Sequence, residues 1–209
     1  IQGRDGVVAP ANVAPDKGFF DVSLGATKRG RIVALYTRCA RSCDVYRYDL
    51  AAKTERRIAT VSSPRFDEAW PAQDGDRIAF VRRARTRVSY MTGLPLPAGS
   101  PKDSGEMGDC DVPYVRDLSS GRPRRRLDRG TCTSVTGLTI RGATIAYTGT
   151  EMMSSTVRLL SAQGGRQRLL ASQGFGEGGD SVYTQPSLSG THLYTLRDGM
   201  RGDAPPAFI

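Results

Sequence analysis

One short apolar run recurs four times along this 209-residue chain, and the recurrence limits the fold more than any other feature. The copies are Arg31-Ile-Val-Ala-Leu-Tyr36, Arg77-Ile-Ala-Phe-Val81, Thr144-Ile-Ala-Tyr-Thr148 and His192-Leu-Tyr-Thr-Leu196. Each follows a Gly-bearing turn: Lys28-Arg-Gly30, Asp74-Gly-Asp76, Arg141-Gly142 and Ser189-Gly190. A β-branched and aromatic run bounded by turn residues reads as a buried strand. A second strand follows the first three copies, at Asp44 to Leu50, Asp111 to Leu118 and Thr156 to Leu160. A polar turn and a basic strand come next, within Ala51 to Ile58, Ser119 to Leu127 and Gln163 to Leu170. A further candidate strand precedes each copy: Phe19 to Leu24, Phe66 to Trp70, Val135 to Ile140 and Val182 to Leu188.

The unit is therefore four strands with short connections. Its successive offsets are about 46, 67 and 48 residues, near the spacing of propeller blades. An insertion at residues 84–109 accounts for the long middle repeat. A lone four-stranded blade leaves one face bare, so blades stack face to face around an axis. The expected fold is all-β, a β-propeller of four-stranded antiparallel blades forming a single domain over residues 1–209. The blades fall near residues 19–60, 66–128, 134–171 and 182–209. A β-sandwich is the alternative, but it gives no reason for whole four-strand blocks to recur.

The run Phe66-Asp-Glu-Ala-Trp-Pro-Ala-Gln-Asp-Gly-Asp-Arg-Ile-Ala-Phe80 resembles the repeat core of TolB-like propellers, in which an aromatic and a Pro precede an Asp-Gly turn and an Ile-Ala-Phe strand. The resemblance spans roughly residues 19 to 197. It is good in the second blade and degenerate in the third and fourth, where Pro186-Ser-Leu-Ser-Gly190 stands in for the Pro-Asp-Gly turn. Membership of that family implies a propeller that binds other proteins, or the non-catalytic gate of a prolyl-oligopeptidase-like peptidase. It also implies six blades where about four are visible, so the four are a small propeller, part of a six-bladed ring, or accompanied by degenerate terminal strands.

Hydrophobic residues make up 38% and charged residues 24%, the balance of a globular rather than a disordered chain. No apolar run approaches the roughly 18 residues of a membrane span. The chain opens on Ile1 rather than Met, which suggests a processed or trimmed product and leaves room for a removed targeting segment. Net charge is +9, and only Lys17, Lys28, Lys53 and Lys102 of the 30 basic residues are Lys. Guanidinium forks suit phosphate. Yet Arg82 to Arg87 and the Arg122, Arg124, Arg125, Arg126 and Arg129 cluster fall at opposite ends of the strands. Nucleic-acid binding wants one continuous stripe and is not expected.

The four cysteines, Cys39, Cys43, Cys110 and Cys132, allow two disulfides. A zinc site wants paired short spacings, and His192 is the only histidine. Disulfides place the chain in an oxidising compartment, periplasmic or extracellular. Lettering the strands of a blade a to d from the axis outward, the b–c loops and d–a connections share one rim and all four cysteines lie on it. Cys39–Cys43 and Cys110–Cys132 is the expected pairing. The insertion begins Arg82-Arg-Ala-Arg-Thr-Arg87, and Arg83, Arg85, Arg87, Tyr90, Met91, Glu106 and Asp109 are the candidate binding residues on it. Long insertions in compact domains carry function or solvated loop. Its acidic end lacks the regular oxygen spacing of a calcium loop.

No Gly-x-Ser-x-Gly, Walker or His-Glu-x-x-His motif is present. No cofactor, metal site or catalytic residue is expected, His192 reads as a structural residue, and Arg201-Gly202-Asp203 is too short a string to assign. The leading expectation is a non-catalytic protein-interaction or scaffold module. A propeller enzyme or peptidase gate is the alternative, and carbohydrate or small-ligand binding through Tyr46, Tyr48, Tyr90 and Tyr114 a further one. Peptide mapping without reductant is expected to return Cys39 joined to Cys43 and Cys110 to Cys132; free thiols at these positions refute the pairing.

Overall fold

The computed structural model describes residues 21–89, 105–120, 125–127, 133–151, 154–174, 181–199 and 207–208. Among these the chain is all strand and turn, with no helix. The first blade is β1 (Ser23–Thr27), β2 (Ile32–Cys39), β3 (Cys43–Asp49) and β4 (Thr54–Arg57). The second is β5 (Asp67–Gly75), β6 (Arg77–Ser89), β7 (Gly105–Asp117) and β8 (Arg125–Arg126). The third is β9 (Ser134–Arg141), β10 (Thr144–Glu151), β11 (Ser154–Ser161) and β12 (Arg168–Gly174). The fourth contributes β13 (Ser181–Ser189), β14 (His192–Gly199) and β15 (Ala207–Phe208).

Within each blade, neighbours in sequence pair antiparallel, so every blade is a meander. The first strands of successive blades lie side by side: β1 against β5, β5 against β9, β9 against β13. β1 and β5 even share a short parallel ladder, Ala26 with Asp74 and Thr27 with Gly75. Meanders whose first strands gather side by side are blades around an axis. The fold is a β-propeller. Glycine permits the close approach at two of these contacts. A Cβ on Gly25 would collide with the Gln73 carbonyl oxygen, and one on Gly137 with Pro186 and the Gln185 amide.

Packing explains why the recurring run is apolar throughout. Ile78 and Phe80 of β6 face the first blade, joining Val33, Leu35 and Val45 in one buried cluster. Ala79 and Val81 point the other way and join Leu138, Ile140, Ile145 and Tyr147 of the third blade in another. A strand covered on both sides shows no polar alternation. Fully burying such a side chain contributes about 1.5–3 kcal/mol.

The outermost strands are short among the described residues. Within the turn-and-strand stretches read from sequence, β8 takes Arg125–Arg126, and β12 begins at Arg168, after the Gly164-Gly165 turn. These strands have a solvent face and little to bury, so their limits follow turn chemistry more than hydrophobicity.

Polar locks join the blades at matching places. Asp111, whose side chain is 0% exposed, accepts the Val135 N–H at 2.9 Å, and Arg83 donates to both of its oxygens at 2.9 and 3.2 Å. Ser155 Oγ, in the third blade, accepts the Tyr183 N–H of the fourth at 2.8 Å. Asp21 accepts the Thr37 N–H at 3.1 Å and the Trp70 N–H of the second blade. On the opposite rim Lys28 meets Asp76 at 3.2 Å, and Arg77 donates to the Gly142 carbonyl at 3.0 Å. Breaking a buried charge pair leaves one partner uncompensated, and Arg83 can turn partly to water. Asp111→Ala is therefore expected to cost about 2–4 kcal/mol in urea unfolding, whereas Asp111→Asn, which keeps an acceptor for Val135, costs less; equal losses in the two variants refute the lock.

Candidate functional site

Two features stand out from the regular blades: a cavity on the axis and an extended hairpin on one rim. The cavity holds about 610 Å³ and is lined by residues 21–24, 70–73, 137–140 and 185–187, one stretch from the first strand region of each blade. Trp70 and Gln185 occupy equivalent places in it. Each precedes a proline, each sits at a bulge, and each takes a left-handed backbone, with φ of 50° and 47°. Such backbone is sparsely populated before proline and persists where surrounding structure enforces it. Here the Trp70 N–H is held by Asp21 and Pro71 accepts from the Ser23 hydroxyl. Among the described residues, Asp21 is the single carboxylate in the cavity lining. Burial raises its pKa, against the opposing pull of its hydrogen bonds with Thr37 and Trp70. Both of its oxygens are engaged, so it is a structural acceptor, and the lining contains no histidine.

The inserted segment is not a loop at its root. β6 and β7 continue past their neighbours as a two-stranded ribbon, in register from Ala84 with Cys110 to Ser89 with Gly105. β5 ends its pairing with β6 at Arg83, and β8 pairs with β7 only at Tyr114 and Val115. β7 is also bridged at Asp111 by Thr133, and from the Ala84–Cys110 pair outward the ladder within the described residues is the ribbon's own. Backbone register sets Arg85 opposite Asp109, Arg87 opposite Met107 and Val88 opposite Glu106. Tyr90 and Met91 lie outside the described residues.

Arg83 donates its guanidinium to Asp111. Its neighbour Arg82 points to the opposite face. There it donates to Glu68 at 3.0 Å and to the Val61 carbonyl at 3.4 Å, and sits 5.1–5.9 Å from the rings of Phe66, Phe80 and Tyr114. Consecutive arginines thus clamp the ribbon's root to both adjoining seams, each through a wholly buried carboxylate.

Cys39 and Cys43 form a disulfide across the β2–β3 hairpin. Cys110 is disulfide-bonded at the foot of the ribbon, and its expected partner Cys132 lies outside the described residues. Of the tyrosines proposed as a sugar platform, Tyr48 is buried, Tyr46 stacks on Tyr36, and Tyr114 stacks on Phe80 beneath Arg82. Tyr90 is outside the described residues. His192 opens β14, a second rather than an innermost strand, exposed and stacked on Tyr194. Among the described residues no three His, Cys, Asp or Glu groups gather as a metal site, and no helix is long and apolar enough to cross a membrane.

No protein family model matches the chain, and no curated protein matches it. Among solved structures it is similar to TolB from Acinetobacter baumannii, at 14% identity and a TM-score of 0.46, over 88% of this chain and 41% of that one. It is also similar to an acylaminoacyl peptidase from Pyrococcus horikoshii, at 11% and 0.45, over 85% of this chain and 35% of that one. A third is the β-propeller domain of the trilobed protease from Pyrococcus furiosus, at 10% and 0.41, over 91% and 57%, described as having an open velcro topology. The chain spans less than half the length of the first two. These likenesses are too distant to carry an argument, and the propeller assignment rests on the strand order and register above.

Burial pushes the pKa of Glu68 up to about 7, against the Ser63 amide and Arg82, which pull it down. The folded state therefore holds this proton more tightly than the unfolded chain does. Stability from this group is greatest below the ordinary carboxylate range and declines as pH rises toward 7. Urea unfolding is expected to show that decline between pH 5 and pH 7.5, by at most about 1.4 kcal/mol per pH unit, and Glu68→Gln is expected to flatten it. An unchanged slope in the variant contradicts the assignment.

Proposed function

We propose that this chain is a non-catalytic protein-interaction module of TolB-like propeller type that engages its partner through the β6–β7 ribbon. The observation that carries the reading is the ribbon's pair of backbone edges, which no neighbouring strand in the described residues covers. Unpaired edges are templates for an added strand, the mode in which extended peptides join a sheet. An isolated two-stranded ribbon is marginal in water, and this one gains a firm root from Arg82, Arg83 and the Cys110 disulfide. The engagement of both Asp21 oxygens in the axial cavity favours binding over acid–base chemistry. The two disulfide-bonded sites support a periplasmic or extracellular setting.

A peptidase gate is the second reading, favoured by the axial cavity. A hydrolase segment encoded on the same gene decides for it.

Replacing residues 85–109 with Asn-Gly closes the hairpin at the Ala84–Cys110 pair with a turn that fits a two-residue loop. The variant is expected to lose a partner captured by the intact chain from an envelope extract, with its melting temperature within about 3 °C, or roughly 1 kcal/mol. Full retention of the partner refutes the ribbon as the contact.

A further inference from the structure

On the rim opposite the ribbon, the seam between the first two blades opens into a cavity of about 450 Å³. Its walls are unusually cationic. Lys28, Arg29 and Arg31 come from the β1–β2 turn, Arg47 from β3 and Arg56 from β4, against the carboxylates of Asp49 and Asp76 alone. Asp76 is taken by Lys28 at 3.2 Å. Asp49 serves its own turn: it accepts the Ala52 and Ala51 N–H groups at 3.0 Å each, and these with Arg31 hold its carboxyl below the usual range. Arg47 spends one donor on the Gln73 side chain at 3.4 Å. Arg29 and Arg56 have no ion pair among the described residues.

The register sharpens the point. Arg47 and Arg56 are directly opposed across β3 and β4, where like charges repel. An anion held between the two guanidinium groups turns that repulsion into shared attraction. Five cations against two carboxylates leave an excess of three positive charges in one concave space. A single carboxylate would cancel one of them, whereas linked phosphoryl groups cancel two or three and match the forked donors bidentately.

We propose that this cavity binds a soluble compound bearing linked phosphoryl groups, clasped by Arg29, Arg47 and Arg56. The site is distinct from the ribbon in place and chemistry, so either stands if the other fails.

Inorganic pyrophosphate is the probe, titrated calorimetrically into the whole chain at low ionic strength. Saturable one-to-one binding is expected. Charge-assisted hydrogen bonds contribute about 1.5–3 kcal/mol each, so Arg56→Ala is expected to weaken binding about tenfold and the Arg29→Ala/Arg56→Ala pair about a hundredfold. Arg168→Ala, exposed on β12 away from the cavity, is expected to leave it within about twofold. All three residues are exposed, and circular dichroism checks that each variant folds. No saturable binding, or a double variant no weaker than Arg168→Ala, overturns the site. Citrate binding as tightly as pyrophosphate overturns the phosphoryl assignment.

Discussion

A four-stranded blade has two faces, and in this chain the second blade has both of them buried. That constraint orders the rest. β6 sends Ile78 and Phe80 into one seam and Ala79 and Val81 into the other, so each adjoining blade completes a core that the second blade cannot close alone. The seams are not equivalent. Those on either side of the second blade are apolar clusters. The seam between the third and fourth blades carries hydroxyl bonds: Thr136 to the Tyr183 carbonyl, and Ser155 to the Tyr183 amide. A net hydrogen bond contributes only about 0.5–1.5 kcal/mol, less than a buried aliphatic side chain. Among the described residues, these hydroxyl bonds set the direction in which β13 of the fourth blade lies against the third.

The same blade carries the ribbon, and the coincidence has a mechanical sense. Adjacent residues on a strand point to opposite faces, so Arg82 and Arg83 reach Glu68 in one seam and Asp111 in the other. Burying those carboxylates is costly, and each cost is offset by a guanidinium and by a backbone amide, Ser63 for Glu68 and Val135 for Asp111. Removing one partner of such a pair leaves a buried charge uncompensated. Here the pairs tie the root of the ribbon to both seams. A projecting hairpin held only by its last backbone bonds would flex at its base; one bracketed by two seams is presented in a set direction.

The blades were legible in the sequence because their inner strands are buried on both sides, which leaves runs such as Ile78-Ala-Phe-Val81 with no polar interruption. The ribbon was not legible as strand for the converse reason. Arg82-Arg-Ala-Arg-Thr-Arg87 has no apolar alternation, so its strand character shows only in its pairing with β7. The Arg83–Asp111 pair was not legible, because nothing in a linear reading places Asp111, 28 residues away, across from Arg83. The axial cavity was hidden in the same way, being assembled from four stretches each about a blade apart. One trace of it was visible: Trp70-Pro71 and Gln185-Pro186 stand at the same place in their repeats, before the turn. The ring pairings of the tyrosines were not legible either: Tyr46 stacks on Tyr36 and Tyr114 on Phe80, across strands that only the fold brings together.

The two rims then differ for a reason rooted in strand direction. In a meander, the a–b and c–d turns emerge at one end of the strands and the b–c and d–a connections at the other. The first end has tight turns, and their residues are short of buried area but rich in cations: Lys28, Arg29 and Arg31 crowd one four-residue stretch. The second end bears the Cys39–Cys43 hairpin, the disulfide at Cys110 and the ribbon. Stability resides between them, in the central residues of the inner strands, which neither rim shares. Changes at one end therefore reach the other only through the seams. That separation would let the proposed anion site and strand-pairing edge share one chain without either compromising the packing that supports both.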